Sequence, residues 1–261
     1  MTRFGVGVDF GKRTDHAAIA TLEAEPVLQT IEALPGTYEA YTSPMRYVTT
    51  MSVVDIRRIP LGTRYHAIVD MVEMVLDHPQ VAPDHVLVCD ATGVGEPIIE
   101  IMQERNLLPV PILIHGGKEV SKHDSGYSVP LRDLAIKAQS MMQSNRLRIV
   151  PGIVHDDQDM SEILIKELRA YQMKMRTNPM TGKSHDHYEA MLESTHDDCV
   201  MAMMLSAWYL GKVGPSVDEV APDHVHLDDD YDPLNEQRSS EKDIASLPDP
   251  LGRRRLVDSR G

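Results

Sequence analysis

Asp9, Asp90 and the adjacent pair Asp197 and Asp198 are the side chains of this sequence best placed to do chemistry. Asp9 closes an apolar run that begins at Phe4, and Asp90 closes a second that begins at Val86. Asp197 and Asp198 open a long apolar stretch over residues 199–210. Carboxylates at two strand ends and at one helix start can meet at a single point. Hard divalent cations take oxygen ligands, and a pair of such cations is one way to hydrolyse a phosphodiester. Aspartate at all four positions, rather than His or Cys, suits Mg2+ or Mn2+.

The elements that must carry these residues follow from apolar periodicity. Residues 4–9 read as a first strand and 10–15 as a tight turn. Residues 16–24 then read as a second strand. Residues 25–46 contain Pro26, Pro35, Gly36 and Pro44 and predict an irregular excursion. Residues 47–59 alternate and are β-branched, which predicts a third strand. Thr63 is the expected N-cap of a helix to Leu76, with Ile68, Val69, Val72, Val75 and Leu76 on its buried stripe.

Further on, a strand over 86–89 feeds the turn Thr92-Gly93-Val94-Gly95 and a helix over 97–105. That turn would allow close approach of backbone to a phosphate, or serve only as a sharp connection. A strand over 110–114, a mobile polar loop over 116–128, and a helix over 131–144 follow. Then come a short strand over 147–150 and a helix over 160–171. Residues 173–189 predict a hairpin turning at 178–182, before a last helix over 198–210. The methionines read as core filler, Met71, Met74, Met141, Met142, Met201, Met203 and Met204 among them.

The chain has 261 residues, of which 42% are hydrophobic and 25% charged, enough for one full α/β domain. No apolar run reaches membrane-span length and the start has no signal-peptide pattern, so a cytoplasmic location is expected. Cys89 and Cys199 fit a reducing compartment, and no CxxC spacing suggests a thiolate metal site. Beside Asp90 on a strand, Cys89 must face the opposite way, into the core. The net charge of −14 is unusual for an autonomous DNA-binding protein. Residues 216–261 hold 12 acidic and 6 basic residues, a net of −6. After Gly214, Pro, Asp and Ser accumulate and periodicity ends. The expected organisation is therefore a domain over 1–213 and an acidic, disordered tail over 214–261. Arg253, Arg254 and Arg255 in that tail read as a solvated remnant rather than a nucleic-acid contact.

Three stretches in order carry a family likeness: Gly7-Val8-Asp9-Phe10-Gly11 with Asp15, then Val88 through Gly95, then His196-Asp197-Asp198-Cys199-Val200-Met201-Ala202. Asn145 to Ile149 and His187-Tyr188-Glu189-Ala190 add to it. Over roughly residues 3–212 the chain resembles the nuclease domain of phage large terminase subunits. The resemblance implies an RNase H-like α/β fold: a mixed sheet of five or more strands, parallel at its centre, with helices on both faces. It also implies metal-dependent cleavage of double-stranded DNA during viral genome packaging, in the host cytoplasm.

On that reading Asp9 bridges two Mg2+ or Mn2+ ions, Asp90 holds one, and Asp198, with Asp197, closes the other. Adjacent helical residues point about 100° apart, so both reach one site only at the first turn, and the sequence does not rank them. Lys12, Arg13, Lys183 and His185 are the candidate DNA contacts, against a reading of each as a solvated surface residue. Asp15 reads as a turn cap, and His187 and His196 as surface histidines. No GxxxxGK[ST] phosphate loop occurs anywhere in the chain, so the ATPase motor of such a complex is expected elsewhere, on another module or polypeptide.

Two other classes compete. An actin- or sugar-kinase-like ATPase also places Asp-x-Gly after its first strand and a Gly-rich turn after a later one. The chain lacks room for its two subdomains, and the Asp197–Asp198 helix has no place there. A catalytically silent docking module of a packaging complex would suit the acidic tail. Within the nuclease class, a junction resolvase of the same fold is a further alternative, expected to dimerise and to prefer branched DNA.

Overall fold

The computed structural model describes residues 3–11, 15–30, 45–177, 184–190 and 197–213. Alternation builds the first half. β1 (Arg3–Asp9) turns Val6 and Val8 to one face and Gly5 and Gly7 to the other. It lies antiparallel to β2 (Ala17–Thr30), which is antiparallel to β3 (Met45–Ile59). After α1 (Tyr65–Leu76), β4 (His85–Asp90) returns parallel to β1. α2 (Gly95–Glu104) then leads to β5 (Pro109–His115), parallel to β4.

β6 (Ser121–Lys122), β7 (Tyr127–Pro130) and, after α3 (Leu131–Gln143), β8 (Leu147–Ile149) complete a sheet ordered β6-β7-β5-β4-β1-β2-β3-β8. The sheet is mixed: β1, β4, β5 and β7 run parallel in a row, and β2 is reversed between β1 and β3. A small hairpin, β9 (Val154–His155) with β10 (Gln158–Asp159), precedes α4 (Met160–Ala170). β11 (Tyr171–Thr177) and β12 (Ser184–Ala190) form a second antiparallel hairpin, and α5 (Asp198–Val213) ends the described chain.

Two cores sandwich the sheet. Phe4, Val6, Val8, Ile19, Leu87 and Cys89 pack beneath α1 and α2. On the opposite face, Ala18, Ala20, Leu22 and Val88 pack beneath α3, α4 and α5. The architecture is thus α/β, a mixed sheet of eight strands, parallel at its centre, with helices on both faces, within the expectation of five strands or more. α5 differs from the other helices in being buried nearly all round, from Cys199 and Val200 through Met203, Leu205 and Trp208 to Leu210. Such a helix has no solvent face and must lie between layers. It sits on β1 because the strand offers no side chains there. A Cβ on Gly7 would run into the carbonyl oxygen of Ala202, and one on Gly5 into the side chains of Ser206 and Leu210.

The structure departs from the sequence reading in several places, each for a physical reason. β2 continues to Thr30 and β3 begins at Met45, where the prolines predict an irregular excursion. β1 pairs with β2 only as far as Ala24, so Pro26 has a strand neighbour on the β3 side alone and withholds no bond from the sheet centre. Thr63 does not cap α1. Its hydroxyl donates to the Pro60 carbonyl at 2.7 Å within a turn that has Gly62 at φ +79°, and Arg64 takes the N-cap position. The polar loop over 116–128 contains β6 and leads into β7, too short to leave a periodic signal. Met74 is exposed, unlike the buried Met141, Met203 and Met204. The hairpin turn over 178–182 and the tail from 214 onward lie outside the described residues. Among the described residues, no helix is long and apolar enough to cross a membrane.

The close approach of α5 to β1 predicts an ordered pair of defects. Gly7→Ala collides with backbone and is expected to lower stability by about 1–3 kcal/mol. Gly5→Ala meets only side chains that can turn aside, and loses less. Urea unfolding of both variants checks this, and equal losses would contradict the packing described.

Candidate metal centre

Strand parity brings the acidic residues to one face. Asp9 follows Gly5 and Gly7 on the α5 side of β1, and Asp90 follows Val86 and Val88 on the same side of β4. β1 and β4 are adjacent and parallel, with Val8 opposite Cys89, so the two carboxylates leave neighbouring strand ends together. α5 crosses this face with Ala202 over Gly7, and Asp198 lies one turn before Ala202. Asp9, Asp90, Asp197 and Asp198 consequently line one cavity of about 250 Å³, with Phe10, Gly11, Asp15, Thr92 and Met201 around them.

The four carboxylates differ in exposure. Asp198 is only 2% exposed, while Asp9, Asp90 and Asp197 are half-buried. Asp15, read from the sequence as a turn cap, is exposed at the cavity rim. Burial, followed by the charges of Asp90, Asp198, Asp197 and Asp15, holds the Asp9 carboxyl well above the usual carboxylate range. Among the described residues no three His, Cys, Asp or Glu groups already stand in a ligand cage. The arrangement is therefore a shared acidic cavity whose charges repel one another. A divalent cation would relieve that repulsion, and an all-oxygen donor set suits a hard one.

The local chain fixes Asp90 closely. Its Oδ1 accepts the Thr92 N–H at 2.8 Å, and the Thr92 hydroxyl accepts the Ile114 N–H at 2.9 Å. Gly93 turns the chain with φ +67°. At Gly95 a Cβ would strike the Asp90 carbonyl oxygen and crowd Phe10. The Gly95 side of this turn is thus occupied by the protein's own backbone and serves the sharp strand-to-helix connection. On the β2 side, His16 Nδ1 lies 2.9 Å from the Ile59 carbonyl oxygen and ties the start of β2 to the end of β3.

Both thiols sit beside acidic residues in sequence yet away from the cavity lining. Cys89 packs under α2, 3.9 Å from the Met102 sulfur. Cys199 is buried as well, and burial pushes both thiols upward in pKa.

Lys12, Arg13 and Lys183 lie outside the described residues, as does His196. His185 and His187 lie on β12, opposite Arg176 and Lys174.

Sequence reasoning missed Glu167 and Arg58. Glu167, on α4, is 3% exposed. Its Oε2 accepts the Val200 N–H at 3.1 Å, in the first turn of α5, and its Oε1 accepts from Arg58 Nη2. Burial outweighs the Arg58 guanidinium and the Val200 N–H, and the Glu167 carboxyl is pushed up to about 7. A signal existed: Glu167 falls on the stripe of Met160 and Leu164, where an apolar residue is the ordinary choice.

The crowding of Asp9 has a measurable sign. Because its carboxyl holds a proton more tightly folded than unfolded, stability of the cation-free protein falls as pH rises from about 4 upward through the raised value. Asp9→Asn removes this charge at nearly constant shape. It is expected to raise the melting temperature in EDTA at neutral pH and to flatten the fall with pH. A variant that melts lower than wild type in EDTA would contradict the repulsion.

No protein-family profile and no curated protein matches the chain. Among solved structures, the chain is similar to the large terminase nuclease of thermophilic phage G20c, at 15% identity over 78% of this chain and 81% of that one, with a TM-score of 0.46. It is also similar to the human cytomegalovirus terminase nuclease domain, soaked with Mn, at 12% identity over 79% and 82% of the two chains, with a TM-score of 0.42.

Proposed function

We propose that this chain is a divalent-metal-dependent endonuclease that cuts double-stranded DNA, acting in phage genome packaging. The observation that carries the reading is the convergence of Asp9, Asp90, Asp197 and Asp198, from three separate elements, on one cavity where their charges oppose each other. A protein gains nothing in stability from such crowding, and perturbed carboxylates gathered in a cleft mark functional sites. The order and spacing of the motifs around these residues, which resemble terminase nucleases, support the packaging role.

Two Mg2+ or Mn2+ ions are the proposed cofactors, held by Asp9 and Asp90 from the strand ends and by Asp198 with Asp197 from the helix start. When bound, such ions supply an activated water and stabilise the leaving oxygen of a phosphodiester. The chain's own part is to hold four oxygen donors on rigid elements. Asp9 comes from a strand buried on both faces, Asp90 is oriented by the Thr92 N–H, and Asp198 stands on a helix without a solvent face. Lys12 and Arg13 fall in sequence between Gly11 and Asp15, both at the cavity, and are the proposed phosphate contacts on that side. Lys183 and His185 are proposed contacts from the β11–β12 hairpin. The expected partners are duplex DNA and a separate ATPase motor, and the net charge of −14 favours delivery of DNA by such a partner.

The test is digestion of supercoiled plasmid with Mg2+, Mn2+ or EDTA, without ATP. Cutting is expected with either cation and not with EDTA. Asp9→Ala and Asp90→Asn are expected to fall to the EDTA background while keeping the wild-type circular dichroism spectrum. Full cutting by either variant would remove the assignment.

A further inference from the structure

Asp198 begins α5 and Asp197 immediately precedes it, so the position of the helix start decides whether they meet Asp9. A helix start leaves its first N–H groups without helical acceptors. Here one of them, Val200 N–H, is taken by Glu167, a buried side chain of α4. Glu167 is in turn bound by Arg58, from β3. Arg58 stands opposite Ala18 on β2, and Ala18 stands opposite Asp9 on β1. The anchor therefore joins the sheet, at the level of Asp9, to the helix start that bears the other two aspartates.

We propose that Arg58 and Glu167 are positioning residues that fix the Asp197–Asp198 turn against Asp9 for cation binding. The inference rests on the cation-site reading above. The hydrogen bond that the Val200 N–H donates to the Glu167 carboxylate is directional, and Arg58 selects which way that carboxylate points. Second-layer partners of this kind typically change metal affinity about 10–100-fold when removed. Neither residue lines the cavity itself, so their loss leaves the four aspartates in place chemically and alters only their aim.

The experiment titrates the full chain with Mn2+ by calorimetry and records melting temperature in EDTA. Glu167→Ala and Arg58→Met are each expected to weaken Mn2+ binding about tenfold or more. Glu167→Gln keeps an oxygen that can accept the Val200 N–H, and is expected to retain more affinity than Glu167→Ala. Ser161→Ala is the control. Ser161 is a buried α4 residue whose hydroxyl bridges the Ile153 N–H and the Val150 carbonyl, at 2.9 and 2.8 Å. It should lower the melting temperature and leave Mn2+ affinity unchanged. If Glu167→Ala does not fold, Arg58→Met and Glu167→Gln decide. Wild-type binding with unchanged affinity in the folded anchor variants overturns the positioning role alone. A wild-type chain that takes up no Mn2+ overturns the cation reading and this inference together.

Discussion

The structure depends on one close approach, that of a buried helix to a strand with no side chains on the facing side. Gly5 and Gly7 let α5 settle onto β1 until backbone nearly touches backbone. The helix is then covered from above by α3 and α4, so its apolar surface is satisfied on every side. That burial is what holds carboxylates together that would otherwise push the helix start away. Hydrophobic burial is non-directional and large, and a long apolar helix can override a local electrostatic penalty at one end.

The penalty is concentrated where the helix starts. Asp198 is almost sealed from solvent, and burial, then the charges of Asp90 and Asp198, make Asp9 hold its proton more tightly. The helix dipole moderates this, because an N-terminus favours negative charge. Glu167 adds a further acid beside the same turn, yet it is matched by Arg58 and by an N–H. The result is a graded set of acids. Asp90 is held by the Thr92 N–H, Glu167 by Arg58, and Asp9, Asp90, Asp197 and Asp198 line the cavity together.

Much of the fold was legible in the sequence because period and punctuation are local. β1, β4, α1 and α5 follow directly from apolar runs and their spacing, and Asp9, Asp90 and the Asp197–Asp198 pair stand out because each ends or begins such a run. What was illegible depends on neighbours. Pro26 reads as a breaker until it is known which side of β2 has a partner. Thr63 reads as a cap until its hydroxyl is seen to prefer the Pro60 carbonyl. β7 is four residues long and is a strand only because β5 lies beside it. Glu167 and Arg58 are far apart in sequence, and only the fold makes them a pair.

Cysteine burial has a consequence for which ions the cavity would admit. Thiolate is the donor that draws zinc and cuprous ions into proteins. Here both sulfurs are turned inward, one under each face of the sheet, and their surroundings keep them protonated. For the proposed centre, selectivity would then come as much from what is hidden as from what is offered: soft ions find no thiolate within the lining, only the weaker thioether of Met201, and the choice among the rest falls to oxygen donors and the space between them.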